Sequence, residues 1–146
     1  IRRLTKNNNK NIIITNQSAL GRNFLTREIL NSIFDKLISG VEKKGGKIDD
    51  IFFCPHLPED HCECRKPLPG LIQKAVLKHH VDLKTSCMIG DSVRDMECGL
   101  NAGVGYLILV KTGNGLVPET ILREKNIIPH YIAKDLNDAS HWIIGK

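Results

Sequence analysis

The sequence predicts an α/β protein, a Rossmann-type parallel sheet flanked by helices and carrying a metal-binding loop. Three observations predict it. Short apolar runs at Ile12–Ile14, Ile51–Phe53, Cys87–Gly90 and Tyr106–Val110 have the length and continuity of strands buried on both faces. Amphipathic stretches separate them, and strands alternating with helices close into a parallel sheet through right-handed crossovers. Small polar or charged residues follow three of the strands directly, at the carboxyl ends where open α/β sheets bind ligands.

Taken in order, residues 1–11 (IRRLTKNNNKN) read as a helix end and a polar turn. The first strand hands over to Thr15-Asn16-Gln17-Ser18. Thr26 can cap a helix whose apolar positions are Ile29, Leu30, Ile33, Phe34, Leu37 and Ile38, read as one stripe. Gly45-Gly46 breaks it. The second strand leads straight into CPHLPEDHCECRKPLPG, Cys54 to Gly70. A helix is expected over Gly70–His80, then the third strand ending at Asp91, a helix over Asp91–Asn101 stopped by Gly103, and the fourth strand. Gly113-Asn114-Gly115 reads as a loop. Residues 118–126 and 136–144 read as helices around a brief apolar stretch at Tyr131–Ala133. The 146 residues suit one domain, 1–146.

Composition narrows the function. Hydrophobic content of 41% with 25% charged residues is that of an ordinary globular protein. No apolar run approaches the ~20 residues that span a bilayer, and the basic, polar start has no apolar leader segment. A cytoplasmic protein without a membrane partner is expected. The net charge of +5 comes from scattered lysines with few aromatic residues for base stacking, which argues against a nucleic-acid partner. It suits an acidic small molecule equally well.

Three constellations carry chemistry. Cys54-x-His56 and Cys62-x-Cys64 are two ligand pairs within eleven residues. Thiolate and imidazole are the ligands zinc prefers, and four of them leave no open position, so the zinc is expected to be structural. His61 is a spare ligand expected to face solvent. Cys87 and Cys98 are expected as core thiols. Arg65 and Lys66 follow the last ligand, where a rigid loop would aim two cations at a phosphate. In Gly90-Asp91-Ser92-x-x-Asp95, Asp91 at a strand end can bind Mg²⁺ through oxygen. Asp95, one helical turn on, can orient Asp91 or its waters. Thr15, with Asn16 and Gln17 beside it, can donate to a phosphate oxygen. A hydroxyl donor, a cation pair and a metal carboxylate are parts of a phosphoryl-transfer site.

On these residues the sequence resembles the haloacid dehalogenase (HAD) superfamily of phosphatases. In particular it resembles the zinc-containing branch that groups heptose 1,7-bisphosphate and histidinol-phosphate phosphatases. IIITNQSALGR looks like the family's second motif, with Thr15 as its phosphate-binding hydroxyl. CPHLPEDHCECRKPLPG looks like the branch's zinc loop, followed by the third-motif Lys66 and by Arg65 as a substrate-phosphate contact. MIGDSVRDMECGLNAG looks like the fourth motif, with Asp91 as the Mg²⁺ ligand and Asp95 beside it. KPLPG and VKTGNG (residues 110–115) favour the heptose branch. The resemblance implies a HAD-like fold, structural Zn²⁺ and catalytic Mg²⁺. It also implies a monomer that removes the 7-phosphate of D-glycero-D-manno-heptose 1,7-bisphosphate, on the way to ADP-heptose, through an aspartyl-phosphate.

The family's DxD motif, which supplies the nucleophile and the general acid/base, is not in the sequence; its first aspartate is Asp35. The resemblance places that motif on a first, central strand between the strands ending at Thr15 and Asp91. An N-terminal segment preceding Ile1 is therefore expected. Two other readings stay open: a zinc-stabilised phosphate-binding fragment without turnover, and a nucleic-acid-binding zinc domain.

Overall fold

The computed structural model describes residues 1–113 and 119–146, which form two compact units, Ile1–Arg65 and Lys66–Lys146. Parallel strands flanked by helices make up both. The pairing is in two pieces, one of two strands and one of three.

The first unit opens with α1 (Arg2–Lys6), then β1 (Ile12–Asn16), α2 (Ser18–Gly21), α3 (Arg27–Glu42) and β2 (Asp50–Cys54). β1 and β2 run parallel, with Ile12 opposite Asp50 and Asn16 opposite Cys54. That register lays the polar end of β1 beside the start of the Cys/His loop. The chain is tied there again by Gln17 N–H donating to Cys54 O at 2.7 Å. Thr26 caps α3 as expected, its Oγ1 accepting from Ile29 N–H at 3.3 Å. The single stripe expected on α3 is in fact two. Leu30 is buried, and Phe34 packs on Phe53 with ring centroids 5.7 Å apart. Ile29, Ile33 and Leu37 instead form a half-exposed second row. Residues one turn apart share a face while neighbours diverge by about 100°, so six apolar positions could not all face one way. The short helix α2 was not anticipated.

The second unit contains α4 (Gly70–His79), β3 (Cys87–Gly90), α5 (Val93–Ala102), β4 (Tyr106–Val110), α6 (Glu119–Glu124), β5 (Tyr131–Ala133) and α7 (Leu136–Ile144). Its sheet is parallel in the order β3-β4-β5. β4 is central, and Leu107, Ile108, Leu109 and Val110 are all buried, which is why its sequence is continuously apolar. The stretch Tyr131–Ala133 is a fifth strand. Ile108, Val110, Ala133 and Ala139 form one core cluster, closed by Tyr131 and Trp142. Cys98 is buried as expected, whereas Cys87 is only partly so.

Several boundaries differ from expectation by one or two residues. α5 starts at Val93 because Ser92 caps it, leaving Asp91 in the loop. The helix expected over 118–126 is observed as Glu119–Glu124. Position 118, with Asn114 and Gly115 of the expected glycine loop, lies outside the described residues. Among the described residues no helix is long and apolar enough to cross a membrane.

Candidate functional site

In the first unit the loop after β2 curls so that Cys54, His56, Cys62 and Cys64 converge. Their ligand atoms all lie within 4.8 Å of one another. Cys54 Sγ is 3.6 Å from Cys62 Sγ and 3.5 Å from His56 Nδ1. Cys64 Sγ is 3.3 Å from His56 Nδ1 and 3.6 Å from Cys62 Sγ. A tetrahedral zinc, with Zn–S near ~2.3 Å and Zn–N near ~2.0 Å, sets its ligand atoms roughly 3.5–3.8 Å apart. The observed separations match that spacing to a few tenths of an ångström, so the residues fit the ion.

The loop makes this turn with local devices. Pro58–Asp60 is a 3-10 turn in which Asp60 Oδ2 accepts from Leu57 N–H at 2.7 Å. His61 follows in the left-handed region at φ +46° and stands outside the four-ligand cluster. Burial pushes the Cys54 thiol up to about 12, and the neighbouring Cys64 and Cys62 thiols add to the rise. The Cys54 thiol therefore resists ionising unless a cation joins it. Arg65 Nη1 donates to His56 O at 3.0 Å. The guanidinium expected to face a phosphate is thus braced against the carbonyl of a ligand residue.

At the end of β1, Gln17 Nε2 donates to Thr15 Oγ1 at 3.1 Å. With its acceptor side engaged, the Thr15 hydroxyl proton is directed elsewhere, as a phosphate donor needs. Asn16 sits in the strand itself, opposite Cys54.

In the second unit Asp95 is the organising residue. It is 5% exposed. Its Oδ1 accepts from Lys66 Nζ at 2.6 Å. Its Oδ2 accepts from Ser92 Oγ at 2.7 Å, Ser92 N–H at 3.1 Å and Asp91 N–H at 3.2 Å. Ser92 Oγ in turn accepts from Asp95 N–H, a reciprocal cap that Ser92-x-x-Asp95 encodes in sequence. Both carboxylate oxygens are engaged, which suits Asp95 to hold the loop presenting Asp91 rather than to bind a cation itself.

The backbone makes room for this web. A Cβ at Gly90 would overlap the Asp95 side chain, and one at Gly113, where φ is +73°, would collide with Asp91 Oδ2. Gly113 belongs to a turn legible in the sequence as a loop, but its approach to Asp91 was not legible there.

Burial opposes the charged form of Asp95, yet the Lys66 ammonium, Ser92 and the Asp91 N–H together hold its carboxyl below the ordinary value of 3.8. A depressed folded pKa contributes stability that is present above the unfolded value and lost as pH falls through the folded one. Acid unfolding below pH ~4 is therefore expected to be shallower in Asp95→Asn, measured as urea-unfolding free energy against pH. An unchanged slope would remove Asp95 from the acid response.

Comparison with known proteins follows the same residues. The HAD-hydrolase-like family model matches residues 63–139. The D-glycero-beta-D-manno-heptose-1,7-bisphosphate 7-phosphatase of Bordetella bronchiseptica is 43% identical over 79% of this chain and 64% of its own length. The enzyme of the same name from Helicobacter pylori strain J99 is 38% identical over 81% of this chain and 68% of its own. The crystal structure of D,D-heptose 1,7-bisphosphate phosphatase from B. bronchiseptica, complexed with magnesium and phosphate, superposes with a TM-score of 0.89. It shares 36% identity and covers 99% of this chain and 79% of that one. The chain spans 60–64% of the length of three of the curated relatives it matches.

Proposed function

The chain belongs to the HAD-hydrolase-like family, and from that premise we propose that the whole protein is a Mg²⁺-dependent phosphatase acting on a sugar phosphate. Its proposed substrate is D-glycero-D-manno-heptose 1,7-bisphosphate, from which it removes the 7-phosphate. The observation that carries this reading is the Asp95 web: one buried carboxylate holds a cation, Lys66, and the strand-end loop of Asp91. The heptose bisphosphatase names of the relatives support this substrate over histidinol phosphate.

The roles follow from chemistry. Asp91 offers a hard oxygen ligand at a strand end and is proposed to hold Mg²⁺. Bound there, the ion would neutralise phosphate charge. Lys66 is proposed to offset the charge on the transferring phosphoryl group, fixed in place by Asp95. Thr15 is proposed to donate to a phosphate oxygen, with Gln17 orienting its hydroxyl and Asn16 beside it. Arg65 is proposed to contact a substrate phosphate while braced on His56 O. Cys54, His56, Cys62 and Cys64 are proposed to hold a structural Zn²⁺ that stiffens the loop carrying Arg65. None of the chain's own residues is proposed as the nucleophile.

The test is phosphate release from heptose 1,7-bisphosphate by the full-length protein with Mg²⁺. One phosphate per substrate is expected, and Asp91→Asn is expected to lower kcat by roughly 10³-fold. Absence of release, or faster hydrolysis of histidinol phosphate, would overturn the assignment.

A further inference from the structure

The position of Lys66 is set by more than Asp95. Asp95, Cys98 and Asn101 succeed one another at intervals of three along α5, and each bonds a consecutive residue of the segment Lys66-Pro67-Leu68. Asp95 takes the Lys66 ammonium. Asn101 Nδ2 donates to Pro67 O at 3.0 Å, and Cys98 Sγ donates to Leu68 O at 3.4 Å. Burial pushes the Cys98 thiol up to about 11, so its sulfur keeps the proton it donates. The helix that makes these three bonds is itself held close to the sheet. A Cβ at Gly99 would lie 2.6 Å from Leu107 Cδ2 and 2.8 Å from Met88 Cβ, so α5 rests on β3 and β4 at its glycine. Pro67 has no backbone N–H, which leaves its carbonyl as the group by which its peptide can be anchored.

We propose that Asn101, through Pro67 O, is a positioning residue for Lys66: the α5 face fixes the Lys66 backbone so that its ammonium is offered to substrate phosphate at one place. This rests on the reading of Lys66 as a phosphate contact. Asn101 is exposed and touches no reacting group, so its effect runs entirely through the Pro67 carbonyl. Removing a group that orients a binding side chain commonly costs about tenfold, because small displacements of a charged group weaken its alignment.

The experiment compares Asn101→Ala, Asn101→Asp and Asn101→Gln in the full-length protein loaded with Zn²⁺ and Mg²⁺. Binding of inorganic phosphate is measured by calorimetry, alongside kcat/KM and Tm. Asn101→Ala and Asn101→Asp, which lack the amide donor, are expected to weaken phosphate binding about tenfold with Tm nearly unchanged. Asn101→Gln, which keeps the donor, is expected to recover most of the loss. Unchanged phosphate affinity in Asn101→Ala, or a loss that follows Tm and is not recovered by Gln, would overturn the proposal. Lys66→Ala separates the two readings. If it abolishes phosphate binding while Asn101→Ala does nothing, only the Asn101 role fails. If Lys66→Ala also binds normally, the assignment of Lys66 falls and the Asn101 role with it.

Discussion

Cys62→Ser is expected to release one zinc per chain and to lower the melting temperature of the full-length protein by at least ~10 °C. The size follows from what holds the loop. Between Cys54 and Arg65 the course of the chain is fixed by one 3-10 turn, a left-handed residue at His61 and a few hydrogen bonds, those of Leu57 N–H, Asp60 N–H and Arg65 Nη1 among them. Of its side chains only Cys54 is fully buried, so apolar packing contributes little. The four ligand atoms, within 4.8 Å of one another, are the remaining source of order. Structural zinc binding is worth ~10–16 kcal/mol in small peptides. Even half of that, at about 2–4 °C per kcal/mol for a protein of this size, amounts to about 10 °C or more. Metal analysis and thermal scans with and without chelator provide the measurement. A Cys62→Ser protein that keeps its zinc and its melting temperature would overturn the assignment of the loop.

The loop could be read in the sequence because its ligands are local: four side chains within eleven residues meet wherever the chain turns sharply. Strand β4 could be read for a similar reason, since Leu107–Val110 are buried and its sequence is apolar along its length, whereas β1 and β2, expected to be buried on both faces, are only partly so. What escaped depends on partners distant in sequence. β5 is three residues long, too short for a periodic signal, and exists because Leu109 and Val110 offer it a ladder opposite Ile132 and Ala133. The split of α3 into Leu30 and Phe34 on one side and Ile29, Ile33 and Leu37 on the other follows from where Phe53 lies, which the spacing of α3 alone does not contain. The same holds at the site. GDSxxD announced a helix cap and a carboxylate, but Lys66 meets Asp95 across 29 residues and Asn101 meets Pro67 across 34. The resemblance named Lys66 and Asp91 one by one; only the fold shows that a single aspartate joins them.

That joint makes Lys66→Ala the substitution with the largest expected effect in the second unit, on stability and on rate together. The ion pair is largely withdrawn from solvent, its side chains 14% and 7% exposed. Removing one partner of a buried pair costs ~3–5 kcal/mol, because the other charge is left behind. Here Asp95 keeps three donors, from Ser92 Oγ, Ser92 N–H and Asp91 N–H, so a loss at the lower end of that range, about 3 kcal/mol, is expected. The Asp95 carboxyl, freed of its cation, would titrate higher, nearer its unfolded value, so the loss of stability below pH ~4 would become shallower. On the rate, losing a preorganised cation from a transferring phosphoryl group costs roughly 10²–10³-fold. Lys66→Arg discriminates the two effects. A guanidinium restores the charge beside Asp95 but presents a planar fork in place of a compact ammonium, so stability should recover further than kcat. If Lys66→Ala leaves both the acid limb and the phosphatase rate unchanged, neither the pairing with Asp95 nor the phosphate-directed role of Lys66 stands.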